Sequence, residues 1–550
     1  MKFWNIIKEN NMEIIVFLLF LFVAVVSVVY SYSLPFTTHG DTYVTLLANK
    51  VAADPTFPDR QLLLNLDFKP YLYTNLLDFL GKHFSIFTYK LILLFLLVLT
   101  TGYAAYLSLK YLGFERKLAV LVALIALVPR VGVGGEAWGV FASDDVLGRT
   151  LGLPFIWILS SLFIRRRFDK KTLWPVFIFS GLATYIHPVS MIFFNGLMFL
   201  IFLYWIMKDR NYLADLKDLF VSILVFSISA SLLLTKIIFV TKNIALDKIV
   251  GVTASANEYA DALMYRVGWD FFPQSLLYSA HFLVINFVFF IAGGYVIYNL
   301  YKKRIEKGSI LYFISEFSIV LICLSVVLSF VIPNTELWLV RHFDFPFILQ
   351  QTSRFFKYYY LGIYLLLAVA IKLYFQNFTK YKKTLLVLFL LVGLSSSTLG
   401  FEIFKFVVGY KNYKKEYIPD TYQSNHLPDD FSIYPEICKE LQKAGIERND
   451  LVISDYFQLR YYCETKIYTT FEEGSIYFML GKNELVSWYR TYIEQERIIN
   501  QGTPEELQAF AKKTGAAYAL LETKSSLFLD FERRKQVWIK GDILSVIKFK

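Results

Sequence analysis

The chain has 550 residues, of which 56% are hydrophobic, 18% aromatic and 18% charged, and its mean hydropathy is +0.47. That composition lies outside the soluble range and excludes a string of water-soluble domains. The formal charge of +11 is unevenly placed: residues 410–550 hold 20 Lys/Arg against 21 Asp/Glu, leaving 36 against 24 in residues 1–409. The surplus is therefore a membrane-topology charge and not a nucleic-acid footprint.

A spanning helix needs roughly 20 predominantly apolar residues, and runs of that kind recur up to about residue 404. The pattern predicts about eleven spans, at 12–33, 88–109, 117–129, 150–164, 172–186, 188–207, 216–240, 277–300, 309–332, 358–373 and 384–404. The first is longer than a signal-peptide core and lacks a small-x-small cleavage site after it, so it reads as a retained helix. Clusters such as Lys110/Arg116/Lys117, Arg165/Arg166/Arg167/Lys170/Lys171, Lys302/Lys303/Arg304/Lys307 and Lys380/Lys382/Lys383 fall in every second gap. Short loops dense in Lys and Arg stay cytoplasmic. The N-terminus is therefore expected inside, and the gaps at 34–87, 130–149, 241–276 and 333–357 outside, together with everything after the last span.

From residue 410 the chain reads as a small extracytoplasmic α/β domain, 410–550, following a transmembrane domain, 1–409. Helical patterns cover 435–444, 484–499 and 504–514, and strand patterns cover 451–454, 516–522 and 543–549. Cys438 and Cys463 lie in this domain, where an oxidising compartment allows a disulfide, but the spacing leaves pairing and two free thiols equally open. No C-x-x-C, H-E-x-x-H, Walker A or Rossmann glycine pattern occurs, so zinc proteolysis, nucleotide hydrolysis and dinucleotide redox lack support.

What remains is charge in the outer loops. SLPFTTHGDTYV carries His39 and Asp41, VGVGGEAWGVFASDDVLGRT carries Glu136, Asp144 and Asp145, and the fourth outer gap carries Arg341, His342, Arg354 and Lys357. A carboxylate at the water boundary suits general-base work on a hydroxyl, and a guanidinium holds phosphate in a fixed fork. Each has a second reading. Asp41 also suits a helix N-cap, Asp144 and Asp145 suit solvated loop acids, and Arg354 suits an interfacial anchor. His187–Pro188 reads as an outer turn, and Glu316 as a snorkelling acid near the cytoplasmic end of its span.

A retained first helix followed by a long outer loop with an early Asp, an acidic second outer loop, about ten spans and an outer C-terminal domain together resemble the GT-C superfamily of integral membrane glycosyltransferases. SWYRTYIEQERII and GTPEELQAFAKKTGAAYALLE also resemble the outer domain of its bacterial members. The resemblance implies an inverting transferase in the cytoplasmic (inner) membrane, using a polyprenyl-phosphate sugar donor among membrane lipids and a glycan, lipid or protein acceptor. It implies Asp41 as catalytic base and Arg354, with Arg341 and Lys357, as donor-phosphate ligands. Asp144, Asp145, Glu136 and His39 are implied for the acceptor or for a metal, so the cofactor expectation stands between none and Mg²⁺ or Mn²⁺. The H-G-D of the first loop lacks a D-x-D pair, the second-loop acids are adjacent, and no W-W-D-like stretch occurs. These departures favour transfer of a single sugar over that of an oligosaccharide. The alternatives are a transporter or flippase of lipid-linked sugars, which should place polar groups at the bilayer midplane in repeated halves, and a non-catalytic scaffold.

The topology is open to direct test. A reporter fused after Lys550 should be active only outside the cytoplasm and one inserted beside Arg166 only inside; the reverse pattern would put every candidate site residue on the wrong face.

Overall fold

The computed structural model describes residues 2–32, 47, 50–51, 53–64, 71–84, 86–129, 138–141, 148–209, 212–232, 254–271, 276–345, 352–377, 433–443, 445–471, 473–474, 476–477, 481–540 and 544–549. The protein is mostly helical with a small C-terminal sheet. Counting helices of eight or more residues, the membrane part contains α1 (Lys2–Tyr32), α2 (Tyr71–His83), α3 (Ile86–Tyr111), α4 (Arg116–Leu127), α5 (Leu153–Phe168) and α6 (Trp174–Ala183). It continues with α7 (Pro188–Asp209), α8 (Tyr212–Ser229), α9 (Ala256–Phe271), α10 (Leu276–Tyr301), α11 (Ile310–Phe343) and α12 (Lys357–Asn377).

Helices stand at ten of the eleven expected spans, and the eleventh, 384–404, lies outside the described residues. By length and composition five are able to cross a membrane: Asn11–Ser31, Thr88–Tyr111, Pro188–Lys208, Ile310–Phe343 and Arg354–Phe375. With 12, 16 and 10 residues, α4, α5 and α6 fall short of the roughly 20 required. The helix lengths therefore do not give the expected count of eleven.

The expected outer gap at 333–357 is also revised, because α11 runs through Pro333 to Phe343. Proline removes one backbone donor and normally ends a helix, but here the helix continues, with Phe330 packed 5.7 Å from Phe356 between ring centroids. Asp344 then caps the helix in the left-handed region at φ 51°. At 34 residues α11 is about 50 Å long, against a hydrocarbon layer of about 30 Å. α12 lies flush against it, since a Cβ at Gly362 would come within 2.7 Å of Ile322 and 2.9 Å of Ser318 O. Small residues permit this kind of approach between membrane helices.

Contacts sort the helix ends onto two faces. On one, Glu13 takes Lys110 at 2.5 Å, Tyr106 at 2.8 Å and Arg116 at 3.0 Å. On the same face Arg167 grips Asp215 with two bonds of 2.8 and 3.0 Å, and Lys208 holds Glu316 at 2.5 Å with Tyr204 at 2.8 Å. Glu316 is thus the partner of a lysine at its own membrane boundary. On the other face, Leu72 N at the start of α2 meets Tyr185 O at 3.3 Å, and the long extension of α11 emerges.

The C-terminal domain contains α13 (Ile433–Lys443), β1 (Leu451–Ile453), β2 (Lys466–Ile467), α14 (Lys482–Gln501), α15 (Pro504–Thr514), β3 (Tyr518–Glu522), α16 (Ser526–Arg533), β4 (Ile539–Lys540) and β5 (Leu544–Lys548). The strand order is β2-β1-β3-β5-β4, with β1 parallel to both neighbours and β5 antiparallel to β3 and β4. The three anticipated helices and three anticipated strands are present, while the short β2 and β4 and the helix α16 had no visible pattern. α15 opens with a capping box, Thr503 with Glu506, on Pro504, and closes on Gly515 at φ +76°. A disulfide joins Cys438 to Cys463 across 25 residues, pinning α13 to the turn before β2. Cys323, the third cysteine, is free.

Closing a loop of that length should contribute about 3 kcal/mol. The double variant Cys438→Ser/Cys463→Ser should therefore lower the stability of the C-terminal domain by about 2–4 kcal/mol in denaturant titration. Alkylation of the native, unreduced protein should label Cys323 alone; labelling of Cys438 or Cys463 would refute the bridge.

Candidate functional site

The face opposite the basic loops is assembled from three pieces. The first is a ledge where α12 begins. Thr352–Phe356 forms a 3-10 turn wedged among α7, α9, α11 and α12, with Phe355 and Phe356 buried. Arg354 is half-buried on this turn. Lys357 follows it and is buried, at 1% exposure, with Nζ 3.3 Å from Ser190 Oγ. Ser190 Oγ also meets His187 Nδ1 at 2.9 Å, and Ser190 N approaches the same nitrogen at 3.1 Å. Tyr358 donates its hydroxyl to Ser190 O. His187 thus closes the first turn of α7, whose Pro188 needs no donor, and sits in one polar network with Lys357.

The second piece is the anchor of the acidic second loop. Trp138 is fully buried, 6.2 Å from Trp157 and 6.1 Å from Tyr364 between ring centroids. Val140 N and Phe141 N both donate to Leu127 O, at 2.8 and 2.9 Å. Gly139 just before them has φ +92°, and a Cβ there would lie 2.2 Å from Val128 O. Only glycine permits this close reversal. The indole therefore fixes residues 138–141 to the helical core.

The third piece is the seat of the C-terminal domain. Tyr259 and Leu263 of α9 pack with Val340 of α11 and with Leu485, Val486, Trp488 and Tyr492 of α14. Around this apolar contact lie Arg490–Glu258 at 2.6 Å, Arg341–Asp261 at 3.4 Å and Lys482–Asp344. Exposed ion pairs contribute roughly 0–1 kcal/mol each, whereas a buried large apolar side chain contributes about 1.5–3 kcal/mol. The apolar patch holds the seat and the charges set its register. The first outer loop docks on the same domain: Leu47, Val51, Phe57 and Leu63 pack on Phe457 and Ile476, Lys50 Nζ donates to Tyr461 O at 2.7 Å, and Arg448 meets Asp54 at 2.7 Å. Beneath them Arg460, 1% exposed, is gripped by both Asp59 and Glu473 and donates to Ile467 O at 2.7 Å.

Of the residues expected at the site, Arg354 and Lys357 stand together on the ledge. Arg341 belongs to the last turn of α11 and not to a loop, and its guanidinium faces Asp261 on α9. Asp41, His39, Glu136, Asp144 and Asp145 lie outside the described residues. Among the described residues no group of three or more His, Cys, Asp and Glu could hold a metal ion. The Ser190–Lys357 link and the Arg460 cluster were not anticipated; they join residues 167, 401 and 13 positions apart, which no local pattern reveals.

No protein-family model and no curated protein matches this sequence. Among solved structures, it is similar to the archaeal oligosaccharyltransferase AglB from Archaeoglobus fulgidus, in complex with an inhibitory peptide and a dolichol-phosphate. The likeness covers 92% of this chain and 69% of that one, at 12% identity and a TM-score of 0.44.

The Arg460 cluster carries a pH signature. Burial pushes the Glu473 carboxyl up to about 7, Arg460 opposing and Asp59 reinforcing the rise, with Lys466 3.8 Å from Asp59 and the Tyr477 phenol also adjoining. Its folded pKa exceeds the unfolded value of 4.5, so this contribution to stability is complete below about pH 4.5 and is lost as pH rises through 7. The thermal midpoint of the full-length protein in detergent should fall between pH 5 and 8 by more than that of Glu473→Gln. The difference should correspond to about 1–3 kcal/mol; equal slopes would show that Glu473 is ionised throughout.

Proposed function

We propose that the protein is a membrane glycosyltransferase that moves a sugar from a polyprenyl-phosphate-linked donor to an extracytoplasmic acceptor, with inversion. The observation that carries this reading is the ledge, where Arg354, with Lys357 behind it, stands at the start of a membrane-spanning helix on the face opposite the basic loops. A lipid-borne phosphate is confined to that depth, and a guanidinium there holds it bidentately. The Cys438–Cys463 bridge supports an extracytoplasmic C-terminal domain, since disulfides persist in oxidising compartments. With that domain outside, the basic loops face the cytoplasm of an inner membrane.

In this reading Asp41, six residues before the docked Leu47, accepts the proton of an acceptor hydroxyl. The hydroxyl oxygen bonds to the anomeric carbon as the bond from that carbon to the phosphate oxygen breaks. The electron pair leaves on the polyprenyl phosphate, where Arg354 offsets the growing charge. Lys357 is enclosed, so it adds positive potential from behind Arg354. Arg341, engaged by Asp261, stands at the margin of the phosphate site. Asp144, Asp145, Glu136 and His39 are assigned to the acceptor or to a Mg²⁺ or Mn²⁺ ion, and no step is routed through a metal.

Asp41→Asn keeps size and capping ability while removing the proton acceptor. It should bind donor normally and lose about 10²-fold or more in turnover, measured by transfer from a polyprenyl-phosphate sugar. Arg354→Lys should weaken donor use at limiting donor, because a point charge does not reproduce the fork. Near-normal transfer by both variants would sink the mechanism.

A further inference from the structure

The first outer loop and the C-terminal domain meet at a set of buried ions that the steps above do not use. Two short helices bring them together: Arg60–Leu64 of the loop, preceded by Asp59, and Gln458–Tyr462 of the domain, which carries Arg460. Asp59 sits in the left-handed region at φ 54°, where its carbonyl takes Leu63 N at 3.0 Å while its carboxylate reaches Arg460. One residue both starts the loop helix and makes the ionic link. From the other side Glu473 reaches the same guanidinium, and Arg460 and Glu473 are each 1% exposed.

Two carboxylates therefore divide one enclosed cation. The other groups around them do not change that count. Tyr477 is pushed up by burial and stays a neutral phenol, and Lys466, 3.8 Å from Asp59, is half-exposed, so water screens it. The remaining loop charges are engaged elsewhere: Lys50 with Glu464, Asp54 with Arg448, and Arg60 with Val51 O at 3.3 Å. When Glu473 is ionised, it faces Asp59 as a like charge. When it holds a proton, its carbonyl oxygen still accepts from Arg460, and Asp59 becomes the counter-ion of the guanidinium. Docking of the loop brings Asp59 beside Glu473 and raises the affinity of Glu473 for a proton; by reciprocity, a proton on Glu473 strengthens the docking.

We propose that this cluster is a proton-operated clasp: a proton held by the Asp59–Glu473 pair keeps the first outer loop on the C-terminal domain, and its loss loosens the loop. Burial, opposed by Arg460 and reinforced by Asp59, raises the Glu473 carboxyl from 4.5 to about 7, with the Thr470 backbone N–H also bonded to it. The folded value is the higher one, so the clasp is fully closed below about pH 4.5 and opens as pH rises through about 7. The same loop carries Asp41. The clasp therefore sets how firmly the candidate base is held, a consequence that rests on the transferase reading, whereas the clasp itself does not.

The test is hydrogen–deuterium exchange of the full-length protein in lipid nanodiscs, corrected for the intrinsic pH dependence of exchange and read at residues 57–64. Exchange there should be at least about tenfold faster at pH 8 than at pH 5.5. The strands at 518–522 and 544–548 should remain the slowest to exchange at pH 8, which separates release of the loop from unfolding of the domain. Glu473→Gln, which keeps an acceptor for Arg460 and cannot ionise, and Asp59→Asn, which takes the like charge off the loop, should each bring the ratio below about twofold. The wild-type comparison requires neither variant to fold. Exchange that is equal at the two pH values or faster at pH 5.5, loop and strands exchanging at one common rate, or a wild-type ratio in either variant would overturn the inference. Release of the loop in a wild-type protein that transfers no sugar would instead sink the transferase reading and leave the clasp standing.

Discussion

Much of the arrangement follows from one mismatch of length. A helix about 50 Å long in a hydrocarbon layer about 30 Å thick has to leave the bilayer, and α11 leaves it on the face opposite the basic loops. Its emergent turns present Leu337, Val340 and Arg341, on which α9 lies and on which, through α9, α14 is seated. Without that extension α9, and the contact with α14 that it carries, would lose the surface on which it lies. α11 is the rigid spacer between the lipid boundary and the soluble domain.

Both faces hold ions in partly enclosed pairs. On the basic face Glu13 meets Lys110 and Arg116, and Glu316 meets Lys208. Burial costs these groups solvation, and the pairs offset that cost. In the C-terminal domain the enclosure is deeper. Arg460 and Glu473 are enclosed together, and the penalty for burying ions is recovered only because two carboxylates and a carbonyl surround the guanidinium. Losing either acid would leave a buried cation under-compensated, at about 3–5 kcal/mol. The first outer loop is held through Asp59 for that reason, and not by its exposed pairs at Lys50 and Arg448.

The parts legible in the sequence were those set by local rules. Alternation of Lys- and Arg-rich gaps depends on each short loop by itself, and the helix ends do sort onto two faces. Capping at Thr503 and Glu506 and the short apolar strands at 518–522 and 544–548 are also local. Where a local rule met tertiary support it failed: Pro333 reads as a helix end, yet α11, packed at Phe330 against Phe356, runs through it. Two-residue strands such as β2 and β4 hold too few side chains for a period to show. The ledge at Arg354 and Lys357 was visible as charge beside an apolar run. Its partners at His187 and Ser190 were not, because the link spans 167 residues. The pairing of Cys438 with Cys463 was open for the same reason, since spacing constrains a disulfide far less than the distance between its Cα atoms.

The aromatic content, 18% of the chain, does two kinds of work that a purely aliphatic membrane protein would lack. In the helical core, Trp138 enters from the second outer loop and packs on Trp157 and Tyr364. A large flat side chain thereby anchors residues 138–141 at little cost in rotamer entropy. Tyr456 and Tyr492 of the C-terminal domain and Tyr265 of α9 spend their hydroxyls on carboxylates, using the apolar body and polar tip that distinguish tyrosine. An isolated carboxylate in such a setting would reorient or take up a proton; one held by a phenol keeps its direction.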